Sequence, residues 1–188
     1  MAVYPVLAGI ASKLLLFFGF FSPKIRRFTE GRKDWRNDLR IKVKALAVQS
    51  QPLKILMFHC SSVGEFEQAR PVIERMHAEF PGHHILLSFF SPSGYELRKN
   101  YPAADLICYL PLDTKINMSH FLDLVQPSAL IIIKYEFWPN LLLECHHRNI
   151  PVISVSAIFR PGQFYFKWYG SYFLRAIKTI NHLRNTNI

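Results

Sequence analysis

The block His59-Cys60-Ser61-Ser62-Val63-Gly64-Glu65 sets small residues and a carboxylate directly after an apolar run. A Ser-Ser-Val-Gly turn at a helix start lets backbone N–H groups approach an anion. Glu65 then has two readings. As a first-turn acid it meets the helix dipole, worth about 0.3–1 kcal/mol. As a general base it takes a proton from a substrate hydroxyl. Glu136, in Lys134-Tyr135-Glu136-Phe137-Trp138-Pro139-Asn140, carries the same two readings, because an acid directly after a buried strand cannot be core. Ser91-Pro92-Ser93-Gly94 repeats the small, polar pattern after a second apolar run. The first turn is neither G-x-G-x-x-G nor a P-loop, so it is a weak nucleotide fingerprint. His59 leads into that turn, placed either to hold the loop or to touch a substrate.

Other clusters point away from chemistry. His83-His84 and His146-His147 are adjacent pairs whose side chains diverge, which favours surface positions over metal ligation. Cys60, Cys108 and Cys145 sit in or beside apolar segments without a C-x-x-C pair, the pattern of buried thiols in a reducing compartment. No metal or cofactor is expected.

The elements that must carry these residues alternate short apolar runs with amphipathic stretches. Strands are read at Leu53–Phe58, Ile85–Phe90, Leu106–Leu110, Leu130–Ile133 and Pro151–Val155. Helices are read over Glu65–Phe80, Ser93–Asn100, Ile116–Val125 and Trp138–Arg148, with Ser91-Pro92 as a cap followed by proline at the first helical position. Continuous apolar strands separated by helices imply an α/β fold: a Rossmann-like parallel sheet with helices on both faces. Such sheets hold ligands beyond the carboxyl ends of their strands, where every block above falls.

The charge distribution narrows the partners. The chain of 188 residues carries +10, yet residues 55–159 sum to −3, while residues 23–54 hold +7 and residues 160–188 hold +5. A domain basic all over for nucleic acid is therefore excluded in favour of an anionic surface met at particular places. Residues 1–22 form an apolar segment interrupted by Lys13 and followed by Lys24, Arg26 and Arg27. It reads as a membrane-associating helix with residue 23 onward on the cytoplasmic side, spanning or interfacial, or as a helix packed on the protein's own core. Residues 23–52 read as a basic arm and linker, in which Gly31–Lys44 is a basic, polar helix or arm and Gln49–Pro52 the linker, 53–160 as the sheet domain, and 161–188 as an aromatic and basic tail with a helix candidate over Gln163–Leu183.

Gly31-Arg32-Lys33…Trp35, His59-x-x-Ser62-Val63-Gly64-Glu65, Ser91-Pro92-Ser93-Gly94, Tyr109-Leu110-Pro111-Leu112-Asp113, Glu136-x-Trp138-Pro139-Asn140 and Ile150-Pro151-Val152…Ser156-Ala157 occur in this order. Together they resemble the N-terminal half of the 3-deoxy-D-manno-octulosonic acid (Kdo) transferases of lipopolysaccharide synthesis. The resemblance implies the acceptor-binding domain of a GT-B glycosyltransferase at the cytoplasmic face of the inner membrane. It implies a lipid A precursor as acceptor and CMP-Kdo as donor, the latter on a C-terminal domain. Glu65 matches the family's catalytic base. Ser62, Gly64, Ser91, Ser93, Gly94, Glu136 and Asn140 match the acceptor cleft, and Arg32, Lys33 and Arg36 are expected to meet lipid phosphates or anionic headgroups. Two departures are Lys134-Tyr135-Glu136 where many members have Glu-Thr-Glu, and an arginine, Arg160, displaced by two positions. A second Rossmann domain needs well over ~100 further residues, so the chain alone is expected not to transfer Kdo. The alternatives are a membrane-attached lipid-binding module without catalysis, and a donor-binding half supplied by another chain.

Overall fold

The computed structural model describes Tyr4, Gly9, Ile10 and residues 22–49, 52–157, 162–167 and 170–184. Two helices lead in, α1 (Pro23–Glu30) and α2 (Trp35–Gln49), followed by β1 (Ile55–Cys60), α3 (Val63–Glu79), β2 (His84–Phe89), α4 (Pro92–Arg98) and β3 (Leu106–Tyr109). The second half runs α5 (Lys115–Val125), β4 (Ala129–Ile133), α6 (Pro139–His147), β5 (Val152–Val155), a 3₁₀ turn at Phe164–Phe166, α7 (Ser171–Ile177) and β6 (His182–Arg184).

The six strands form one sheet in the order β3-β2-β1-β4-β5-β6, and each neighbouring pair is parallel. The chain builds outward from β1 in one direction and from β4 in the other, so the order reverses between them. That switch point opens a crevice at the carboxyl ends of β1 and β4. Side-chain alternation splits the strands between two cores. Ile55, Met57, Leu86, Cys108 and Ile132 meet α2, α5 and α6 on one face, whereas Phe58, Cys60, Leu87 and Ile131 meet Phe66, Ala69 and Ile73 of α3 on the other. The three cysteines are buried free thiols.

The flanks differ from their sequence reading. Of the two readings of Gly31–Lys44, helix or arm, the helix is observed, and it is packed rather than polar all round: Leu39 and Leu46 of α2 are buried in the core, while Lys33, Arg40 and Lys44 stay outside. The helix candidate over Gln163–Leu183 is instead a 3₁₀ turn, a short helix and a sixth strand. Gly170 explains the first break, because a side chain there would collide with the Phe164 and Tyr165 carbonyls. Asn181 explains the second. Its N–H donates to the Val152 carbonyl at 3.0 Å and its Oδ1 accepts from Val152 N–H at 2.8 Å, which seeds the pairing of β6 on the free edge of β5.

The membrane reading of residues 1–22 and the displaced Arg160 fall outside the described residues, apart from Tyr4, Gly9, Ile10 and Ser22. Among the described residues no helix is long and apolar enough to cross a membrane. Tyr4 does touch the body, donating to Asp113 at 2.9 Å and stacking on Tyr172 at 5.6 Å.

Candidate functional site

Ser62 ends β1's exit loop and takes the N-cap position of α3. Glu65 follows three residues later and turns back, its Oε2 accepting from the N–H of Ser61 and, at 3.2 Å, of Ser62. The anion-binding turn read from the sequence is thus filled by the chain's own carboxylate. The carboxylate caps the helix and stands half-buried on the rim. Ser91 joins the same rim, because its N–H donates to the Ser61 carbonyl at 2.8 Å and its hydroxyl pairs with Ser93 at 2.6 Å.

Glu136 arrives from the other side of the switch point. β4 ends in a left-handed residue, Lys134 with φ 60°, and β5 ends in another, Ser156 with φ 63°. Non-glycine residues in that conformation carry backbone strain of about 1–3 kcal/mol, and here both flank one rim. Burial pushes the Glu136 carboxyl up to about 7, and the nearby Glu65 charge adds to the rise, against hydrogen bonds from Ser61 and Trp138. Two carboxylates therefore meet across the crevice, one bound to backbone amides and one holding its proton close to neutrality.

His59 lies beneath them, fully buried on β1. The parallel register pairs it with Ser88 of β2, whose hydroxyl is 2.9 Å from Nδ1. Its Nε2 accepts from the Trp138 indole at 2.9 Å, so the histidine holds the β4 loop. Burial pushes the imidazole down to about 3, and the 4.0 Å approach of Glu136 Oε2 to Nε2 is accordingly not an ion pair.

Several motif residues prove to be braces. Asp113 is buried and reaches across to the start of α6, accepting from Asn140 N–H at 3.0 Å and Leu141 N–H at 2.9 Å. The Asn140 side chain donates to the Asp113 carbonyl and accepts from Tyr172 Oη at 2.9 Å, so it is turned into the fold and away from the crevice. Burial raises the Asp113 carboxyl to about 6 despite these donors. A helix that opens on Trp-Pro has no capping side chain of its own, and that missing cap is the sequence signal that would have pointed to Asp113.

Arg32 is likewise inward. Its guanidinium donates to the carbonyls of Leu110 and Phe28 at 2.9 Å each and to that of Phe90, with Phe28, Phe90 and Tyr109 stacked around it. Burial pulls its pKa down to about 10. Lys33 beside it is exposed, at the edge of an apolar groove of about 390 Å³ lined by Phe28, Trp35, Pro111 and Leu112. Phe28 leads from that groove to the rim through Phe90 at 5.1 Å and Trp138 at 4.4 Å.

The motif glycines divide in the same way. A methyl group on Gly94 would sit 2.6 Å from the Phe89 ring, and one on Gly31 would sit 2.6 Å from the Tyr109 ring. One on Gly64 would meet nothing within 4 Å. Packing explains the first two and not the third. Among the described residues no group of three or more His, Cys, Asp or Glu side chains is placed to hold a metal.

A family model for 3-deoxy-D-manno-octulosonic-acid transferase (kdotransferase) matches residues 33–185. The Haemophilus influenzae 3-deoxy-D-manno-octulosonic acid transferase is 32% identical over 107 residues, 56% of this chain and 25% of that protein. The Aquifex aeolicus enzyme of the same name is 36% identical over 103 residues, 54% of this chain and 28% of that protein. The matched region thus spans about a quarter of each relative. In fold, the chain resembles a crystal structure of UDP-N-acetylglucosamine 2-epimerase, with a TM-score of 0.52 at 10% identity over 71% of this chain and 42% of that one.

Proposed function

Because the chain belongs to the 3-deoxy-D-manno-octulosonic acid (Kdo) transferase family, we propose that it supplies the acceptor-binding half of a GT-B glycosyltransferase, with Glu65 as general base. The observation that carries this reading is the meeting of Glu65 and Glu136 at the switch point of the sheet, beside a glycine that packing does not require. The acceptor is a sugar hydroxyl of a lipid A precursor, and the donor is CMP-Kdo on a second Rossmann-like domain. The hydroxyl oxygen bonds to the anomeric carbon of Kdo as the bond to the CMP phosphate breaks, and the hydroxyl proton passes to Glu65. Backbone amides hold Oε2, which leaves Oε1 as the oxygen that takes the proton. Ser91 and Ser93 offer hydroxyls along the same rim.

The apolar groove beside Lys33 suits an acyl chain with its phosphate at the ammonium. Along α2, exposed Arg40 and Lys44 accompany Ile41 and Val48, which are 60% and 88% exposed, and exposed Lys33 stands just before it. That face suits an anionic bilayer at the cytoplasmic side of the inner membrane.

The test joins the chain to a donor-binding half, for example that of the Aquifex aeolicus relative, and compares wild type with Glu65→Gln. The expected result is a rate lower by about 10²–10⁴-fold with lipid A precursor binding kept. An unchanged rate refutes Glu65 as the base. Lipid binding without any Kdo transfer by the wild-type chimaera favours the non-catalytic lipid-binding module.

A further inference from the structure

His59 sits at the centre of a hydrogen-bond chain whose directions are fixed by one donor-only group. An indole N–H can only donate, so His59 Nε2, 2.9 Å from Trp138 Nε1, carries no proton. The neutral ring therefore holds its proton on Nδ1 and donates to Ser88 Oγ at 2.9 Å. Ser88 passes its own proton to the Phe58 carbonyl at 3.2 Å. The β1–β2 register, in which His59 faces Ser88, sets the strand members of this chain, and Trp138 joins them from the start of α6.

The indole N–H has a second acceptor. It also interacts with the Glu136 carboxylate, whose Oε2 lies 4.0 Å from His59 Nε2. One proton donor is shared between a buried imidazole and a rim carboxylate. Phe90 packs on the indole at 4.4 Å and limits the ring's freedom to turn toward either.

We propose that His59 is a positioning residue for the carboxylate rim: as the Nδ1–H tautomer it draws the Trp138 N–H to itself and so withholds a full hydrogen bond from Glu136. The inference deepens the functional reading above and rests on Glu136 belonging to the acid–base centre. The groups facing Glu136 are Glu65 at the start of α3, Ser61 and the Cys60 thiol at the end of β1, Trp138, and Tyr165 from the 3₁₀ turn. Burial and the Glu65 charge favour the protonated carboxyl, and a withheld indole bond acts in the same direction. The rim can then hold one proton between two carboxyls at neutral pH.

Two measurements on the 188-residue chain test this. Long-range ¹H–¹⁵N correlation spectra should show His59 as the neutral Nδ1–H tautomer between about pH 5 and 8. An Nε2–H tautomer or an imidazolium in that range overturns the proposal, and this readout needs no variant. Side-chain ¹³C titration of Glu136 is then compared in wild type, His59→Asn and His59→Gln. Asparagine can reach Ser88 but offers no acceptor at the Nε2 position, whereas glutamine reaches that position. The Glu136 midpoint should fall by about one pH unit in His59→Asn and stay at the wild-type value in His59→Gln. A merely structural histidine would lower the melting temperature in both variants and move neither midpoint, and unmoved midpoints overturn the proposal. Midpoints that shift as expected while the chimaera's Kdo transfer rate is unchanged uphold the positioning role, and refute instead the reading of the rim as the acid–base centre.

Discussion

Replacing Gly64 by alanine, and then by valine, should leave the fold intact and close the rim. Gly64 is the second helical residue of α3, it is exposed, and its φ is not positive. A Cβ there meets open space. Glycine in a helix gives up about 0.5–1 kcal/mol relative to alanine, so Gly64→Ala should raise the melting temperature by about 1–4 °C. Gly94→Ala supplies the contrast. Its new methyl would lie 2.6 and 3.1 Å from two atoms of the buried Phe89 ring, and overpacking of that kind costs about 1–3 kcal/mol. The functional effect runs the other way. Gly64 adjoins Glu65, and a side chain that displaces the acceptor by on the order of 1 Å can lower turnover about 10²-fold. Thermal unfolding of each variant, with lipid A precursor binding in nanodiscs and transfer by the chimaera, reads both quantities. Gly64→Val binding and reacting like wild type would refute the argument, as would a Gly64→Ala variant less stable than Gly94→Ala.

Other substitutions separate braces from ligands. Arg32→Lys should cost about 2–4 kcal/mol in urea unfolding, because an ammonium cannot reach three carbonyls at once; a loss under about 0.5 kcal/mol would contradict this. Lys33→Ala should stay within about 0.5 kcal/mol yet weaken binding to anionic vesicles, and unchanged vesicle binding removes Lys33 from the lipid surface. Asp113 and Glu136 both titrate above their ordinary carboxylate values, at about 6 and about 7, so the folded state binds more protons than the unfolded one. Their contribution is fully present below about pH 4 and is lost as pH rises through 6 and 7, by about 3 kcal/mol each. The wild-type minus Glu136→Gln stability difference should therefore fall between about pH 4.5 and 7.5, and a flat or rising difference contradicts it. Asp113→Asn should remove the slope at the lower end of that window.

The parallel sheet was legible because its strands are buried on both faces and read as unbroken apolar runs, Leu130–Ile133 above all. The rim was legible for the same reason, since polar blocks after such runs must fall at the carboxyl edge. What periodicity could not supply was the partner of each polar residue. Arg32 next to Lys33 in a basic stretch looks like a phosphate ligand, and only the tertiary fold shows three carbonyls converging on it. Asn140 looks like a cleft residue until Asp113, 27 positions away, is seen at the same helix start. The tail misled through composition: Tyr165, Phe173 and their neighbours suit a helix, but Gly170 and Asn181 impose a turn and an edge strand.

These braces bear directly on the chemistry, because a carboxylate works as a base only if its geometry precedes the substrate. The loop bearing Glu136 is held at both ends. Before it, Lys134 N–H donates to the Val155 carbonyl at 2.8 Å, and after it, Asp113 ties down the start of α6. In the middle, His59 holds Trp138 from beneath. The opposite loop is held by Glu65 itself, bound to two amides, and by Ser91 N–H on the Ser61 carbonyl. Neither loop can drift without breaking these hydrogen bonds, and those of Asp113 are buried, at about 1–3 kcal/mol for each group left unpaired. The separation of the two carboxylates is therefore a property of the fold. It follows that variants of Asp113 or Asn140, whose hydrogen bonds tie down the start of α6, should lower turnover of the chimaera through this separation.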